Sequence, residues 1–317
     1  MVELDDSATQ HGAQDIEGLP PSVNVYRYKD MNDFCQVMSL ERYRLNGPFR
    51  AAGNTRAQAT DRSCEGRQGH LTMLPQTECT QSDHTIFIIE PSTFAHDFLN
   101  PLADLPFRSK ISYSPETNLL VVKMPRPAHE QATRAFENML KSALQPMALD
   151  RAIYCWGSTT LTGADGTTKE ADGGWSPRRP PPRAPKRPSI VLEVGSSQNS
   201  AKLRRDAHYW VDPGKGQANM AITVKIHPTK PQINIDSWEW SFQSSRAIQH
   251  AHSTISKSES NILFDPNQPA PHLLIPFEFL FRREVKEPRE GDVLLPTQEL
   301  IEFATLVWEM QFENEPG

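Results

Sequence analysis

The sequence predicts an α/β fold in which a mixed central sheet is flanked by helices, and three segments carry that expectation. Residues 189–194 (SIVLEV) are apolar on both faces apart from one glutamate, the pattern of a central strand covered on both sides. Upstream, Ala128, Ala132, Phe136, Met139, Leu140, Ala143 and Leu144 recur at the three-and-four spacing of an amphipathic helix that starts after Pro125 and stops before Pro146. Downstream, residues 220–227 (MAITVKIH) and 233–242 (INIDSWEWSF) alternate with period two on either side of Pro228-Thr229-Lys230-Pro231, which predicts two paired strands.

Taken in order, residues 1–22 are polar and broken by glycine and proline. Such a segment buries too little apolar area to offset the entropy of ordering, so it is expected to be a disordered tail. Residues 23–123 form an N-terminal region leading into the core. Its periodicity is weak until residues 85–89 (TIFII) and 118–123 (NLLVVK), both β-branched or aliphatic runs that predict strands. Within the core, residues 124–245, two further strands are expected at 151–156 (RAIYCW) and 167–172 (TTKEAD), joined as a hairpin through the turn-rich Thr162-Gly163-Ala164-Asp165-Gly166. Residues 176–188 (SPRRPPPRAPKRP) are expected to be an exposed loop leaning to polyproline II, because proline fixes φ and has no amide proton to give. Residues 199–210 place Leu203, Ala207 and Trp210 on one side of a helix. The last part, residues 246–317, reads as a Ser/His-rich linker near 250–260, a strand over 273–281, and a helix from about Pro296 with Leu300, Phe303, Ala304, Val307 and Trp308 as its apolar stripe.

An apolar content of 37% in 317 residues suits one core with tails. The formal charge of -6 argues against a globally basic surface, so contact with a polyanion requires a local patch. Cys35, Cys64, Cys79 and Cys155 lack the paired spacing of a zinc site, and a set built from Cys64, His70, Cys79 and His84 is irregular. Ordinary reduced cysteines are expected. No apolar run is long enough for a membrane span, and the acidic, polar start is unlike a secretory signal, so the expected location is cytoplasmic or nuclear. Gly214-Lys215-Gly216 lacks the spacing of a phosphate loop.

Two carboxylates stand out by position. Asp172 closes one expected strand and Glu193 lies inside the most apolar one. Burying a carboxylate is costly without compensation, which a lysine or arginine, exposure at the sheet edge, or a divalent cation bound by both acids would each supply. His129 falls on the apolar face of its helix and is read as a packed core residue.

These residues resemble the PD-(D/E)xK, or restriction-endonuclease-like, nuclease superfamily. Ala171-Asp172-Gly173-Gly174-Trp175, Ile190-Val191-Leu192-Glu193-Val194-Gly195, Leu203, Asp206, Trp210 and the strand over 222–226 are similar to a group of uncharacterised fungal proteins of that fold. The resemblance spans about 124–240 and implies a restriction-endonuclease-like core. It also implies that Asp172 and Glu193 bind Mg2+, with Glu130 as a third acid, although helical geometry favours an exposed Glu130–Arg134 pair. The family's lysine two residues after the glutamate is here Gly195. The resemblance then leaves Lys202 or Lys225 to supply that charge.

The implied activity is Mg2+-dependent hydrolysis of phosphodiesters in DNA or RNA. The alternative is a catalytically inactive nuclease-fold protein acting as a scaffold. Arg178, Arg179, Arg183, Lys186 and Arg187 lie in the Pro/Arg loop between the two acids in sequence, where they are expected to arch beside the site. Such a loop suits nucleic-acid contact, docking to an SH3 or WW-type partner, or a tolerated surface insertion.

Overall fold

Apolar strands from the first half of the chain, joined by one later hairpin, build a sheet separate from the main one. The protein is described from a computed structural model covering residues 18–20, 22–46, 82–99, 109–157, 159–196, 200–258, 261–264 and 272–312. Most of the expected N-terminal tail, and Cys64, His70 and Cys79, lie outside the described residues.

In chain order, β1 (Asn24–Arg27) leads through α1 (Met31–Asn46) to β2 (His84–Ile88), then α2 (Pro91–Phe98), β3 (Lys110–Ser114) and β4 (Leu119–Lys123). After α3 (Pro127–Leu144) come β5 (Ile153–Cys155), β6 (Thr160–Thr162), β7 (Thr168–Glu170), β8 (Gly173–Pro177) and β9 (Ile190–Gly195). Helix α4 (Ser200–Val211) connects to β10 (Met220–Ile226), β11 (Gln232–Ser241), β12 (Arg246–Ser258) and β13 (Asn261–Phe264). The chain ends with β14 (Leu273–Ile275), α5 (Phe277–Phe281), β15 (Val293–Leu295) and α6 (Thr297–Phe312).

Among the described residues the first sheet has the order β1-β2-β4-β3-β7-β6 and the second β13-β12-β11-β10-β9-β8-β5. The fold is therefore mixed α/β. In the second sheet β9 and β10 run parallel, joined by α4 as a crossover, while the remaining pairs are antiparallel. Strand alternation gives this sheet two unlike faces. Ile190, Leu192 and Val194 of β9, with Met220, Ile222, Val224 and Ile226 of β10, pack into one core with α3 and α6. Val191 and Ala221 turn to the other face, where Ala207 and Trp210 of α4 cover them. Glu193 shares that second face, which explains how so apolar a strand can hold a carboxylate. The first sheet packs Phe87, Leu120 and Val122 against Phe34 and Met38 of α1 and Phe94 and Phe98 of α2.

Four expectations about elements need correction. The turn at residues 163–166 joins β6 to β7 rather than 151–156 to 167–172; β5 pairs instead with β8 in the other sheet, where Ile153 joins the main core. Backbone bonds from Gly163 N–H to the Thr167 carbonyl and from Gly166 N–H to the Gly163 carbonyl close that turn. The Pro/Arg loop begins two residues late, since Ser176 and Pro177 are buried at the end of β8. Proline is tolerated there because the pairing of β8 with β9 already stops at Trp175. The Ser/His-rich stretch is no linker: it is most of β12, paired along its length with β11, its polar side chains lying on a largely solvated strand. Residues 273–281 split at Pro276 into β14 and α5. The C-terminal helix is as expected, with Leu300, Phe303, Ala304, Val307 and Trp308 buried.

The turn after α4 is tight. A Cβ on Gly216 would stand against the Trp210 backbone well inside contact distance, whereas one on Gly291 would meet nothing within 4 Å. Gly216→Ala is expected to destabilise by about 1–3 kcal/mol, as overpacking does, with Gly291→Ala near neutral. Thermal unfolding of the two variants, compared with the parent, checks this.

Candidate functional site

The polar junction between the two sheets is built by the β7–β8 connection together with β4, β9 and α4. β7 belongs to the first sheet and β8 to the second, so the chain crosses between sheets at Ala171 and Asp172. β4 ends at the junction with Lys123, β9 brings Glu193, and α4 lays Lys202, Asp206 and Trp210 across it.

Asp172 is almost wholly enclosed and heavily engaged. Its Oδ2 accepts from Lys123 Nζ at 2.7 Å and from the Val194 N–H at 2.8 Å. His129 Nε2 stands 3.0 Å from the same oxygen, close but outside good hydrogen-bond alignment. Lys123 Nζ also donates to the Val194 carbonyl at 2.6 Å. Burial alone would raise the Asp172 pKa, but the neighbouring His129 and Lys123 outweigh it and hold the carboxyl well below its usual range.

Glu193 is in the opposite condition. Its Oε1 accepts from Trp210 Nε1 at 2.5 Å, but burial, reinforced by the Asp172 charge, pushes its pKa up to about 7. Asp206 forms the third carboxylate, taking both Lys169 Nζ and Lys202 Nζ, the latter at 2.5 Å. Those two lysines outweigh the effect of burial and lower its pKa, while burial lowers that of Lys202.

Asp172, Glu193, Asp206, Lys123, Lys169 and Lys202 together line a cavity of about 30 Å³, room for a water or an ion. Above it opens a polar cleft of about 730 Å³ that shares Lys169, Lys202 and Asp206 as its floor. Arg205, Tyr209, Lys215, Trp240 and Arg246 are among its walls.

Of the residues singled out from sequence, Asp172, Glu193 and Lys202 come together here. Lys225 does not line the cavity: it lies on β10 opposite Gly195 and donates to the Ser196 carbonyl at 2.9 Å, with its pKa lowered to about 8 by burial. Glu130 is also outside it, about one-third exposed on α3 with its carboxylate 3.9 Å from His129 Nδ1.

The Pro/Arg loop is at the wrong end of the strands to arch over the acids. Asp172 precedes β8 and the loop follows it; Glu193 is near the end of β9 and the loop precedes it. Four to five residues of strand, roughly 15 Å, intervene. Arg178, Arg179, Arg183 and Lys186 are exposed, and Arg187 donates to the Thr162 carbonyl; none of the five lines the cavity or the cleft.

Sequence reasoning missed Lys123 and Lys169, and gave Asp206 no role at the site. The signal for Lys123 was a lysine closing a wholly buried strand, β4. For Asp206 it was the i,i+4 relation to Lys202 on the helix. His129 is buried as expected, yet its ring faces Asp172 rather than apolar side chains alone.

The donor set fits Mg2+ by its chemistry: two carboxylates are the protein share that ion commonly takes, the rest of its shell being water or phosphate. Among the described residues no three histidines, cysteines or acids converge as a metal cage, so a closed zinc site does not fit. No family model and no curated protein matches the chain. A similar solved structure is that of "a putative nuclease belonging to DUF820 from Anabaena variabilis", 13% identical, with a TM-score of 0.37, covering 68% of this chain and 99% of that one.

Two outcomes follow from this charge arrangement. Asp206→Ala removes the carboxylate that buried Lys169 and Lys202 share and is expected to cost about 3–5 kcal/mol, measurable by urea denaturation. Glu193, with a folded pKa of about 7 against an ordinary 4.5, contributes stability that is full below pH 4.5 and is lost as pH rises through 7. Glu193→Gln keeps an oxygen for Trp210 and removes that loss. Its stability relative to the parent is expected to rise by on the order of 2–3 kcal/mol between pH 5 and pH 8, and unfolding curves that stay parallel across that range would contradict the assignment.

Proposed function

We propose that the chain is a metal-dependent phosphodiester hydrolase acting on nucleic acid, with Asp172 and Glu193 as the acids that hold Mg2+. The observation that carries this reading is that both acids line one small cavity, with Lys202, next to a polar cleft. A divalent ion held by Asp172 and Glu193 would supply Lewis acidity toward a phosphate oxygen and an attacking water. The chain's own residues do the rest. The Val194 N–H and Lys123 fix the Asp172 carboxylate, and Trp210 fixes Glu193. Lys169 and Lys202, both bound to Asp206, stand where a phosphate descending the cleft would arrive. They take the part of the lysine replaced by Gly195.

A second reading has its own observation. The cavity's four carboxylates are matched by four lysines, and Asp172 and Asp206 are already ion-paired, so the site can be electrically satisfied without an ion. In that case the molecule is an inactive relative that acts as a scaffold. The exposed Pro/Arg loop, remote from the acids, would then dock to an SH3 or WW-type domain rather than to phosphate.

Calorimetry with Mg2+ and Mn2+ on the parent, Asp172→Asn and Glu193→Gln, run beside cleavage of mixed DNA and RNA, decides between them. Hydrolysis predicts ion binding in the parent and at least a hundredfold loss of rate in each variant. A folded parent that neither binds ion nor cleaves leaves the scaffold.

A further inference from the structure

The cation-binding oxygens at the junction are not idle: a side chain from the neighbouring sheet already holds them. Lys123 Nζ lies 2.7 Å from Asp172 Oδ2 and 2.6 Å from the Val194 carbonyl, in a pocket that leaves only 10% of the lysine side chain exposed. We propose that Lys123 is a resident cation that competes with a divalent ion for Asp172, so that the site loads only when the ammonium gives way. The inference rests on the metal reading above and adds to it a built-in competitor.

Three features support it. The ammonium meets one oxygen from each side of the space between Asp172 and β9, the geometry a bridging cation adopts. The contested Asp172 oxygen also takes the Val194 N–H and faces His129, so its coordination is crowded and an added ion must displace a partner. A divalent ion and a lysine ammonium cannot share a carboxylate in an enclosed site without strong repulsion. Asp83, wholly buried beside the end of β4, adds negative charge near Lys123 while its own carboxylate is faced by His84 Nδ1 at 2.7 Å and accepts from Ser196 Oγ at 3.3 Å, so the field of the junction favours a resident ammonium.

The test is calorimetric titration of Mn2+ into the full chain, comparing the parent with Lys123→Met, Lys123→Gln and Lys123→Arg. Competition predicts at least tenfold tighter binding in the two neutral variants and no gain in Lys123→Arg. Equal affinity in all four proteins overturns the competition while leaving the metal reading intact. Weaker binding in folded neutral variants also overturns it, since Lys123 would then support the ion. No binding in any of them removes both. Should the neutral variants fail to fold, the parent still answers. The 15Nζ resonance of a buried, hydrogen-bonded lysine is expected to shift or broaden as Mg2+ saturates the site, and a spectrum unchanged at saturation overturns the proposal.

Discussion

The bond from Lys123 to Asp172 is the constraint on which the remaining architecture turns. It joins the last residue of β4 in the first sheet to the residue at which the chain enters the second. Both groups are enclosed, and each would be intolerable alone: an unpaired buried charge costs several kcal/mol. The pair is held further by the backbone of Val194, whose N–H serves the carboxylate and whose carbonyl serves the ammonium. The two peptide groups flanking the Val194 Cα are thereby tied to both sheets, and Glu193 beside it is presented in a set direction.

Strand alternation then divides the labour. On β9 the odd and even positions separate an apolar face, packed on α3 and α6, from a face covered by α4. The second face is incompletely apolar because α4 brings Lys202 and Asp206 together with Ala207 and Trp210. Trp210 serves both halves: its ring fills the core under the helix and its indole N–H binds Glu193. A polar network of this kind, with most members paired, orients its groups more firmly than an apolar layer would.

Chemical consequence follows from the imbalance within that network. Asp172 is stabilised as an anion, whereas Glu193, buried next to it, is not, so two neighbouring carboxylates hold protons very differently. Such divergence in paired acids is common where protons or ions are exchanged. The adjoining cleft opens on this network, and Lys169 and Lys202, which line both, place positive charge where the two meet.

The sequence alone determined the elements with a strong local period. The helices beginning at Pro127 and Thr297, the buried strand carrying Glu193 and the pair β10–β11 follow from periods of 3.6 and 2 that hold over one element. It also pointed to Asp172 and Glu193, since a carboxylate in or beside an apolar strand demands a partner wherever that partner comes from. Tertiary structure decided the partners. Lys123 meets Asp172 across 49 positions and Val194 across 71, and no local pattern encodes which strand end faces which. The same limit explains the strands that were misread. β12 lacks a clear apolar alternation because it is largely solvated, and β5 takes its partner from the far side of a turn whose residues suggested a nearer one. Local periodicity reports which face of an element is buried; which charges are buried against one another depends on how the sheets are brought together.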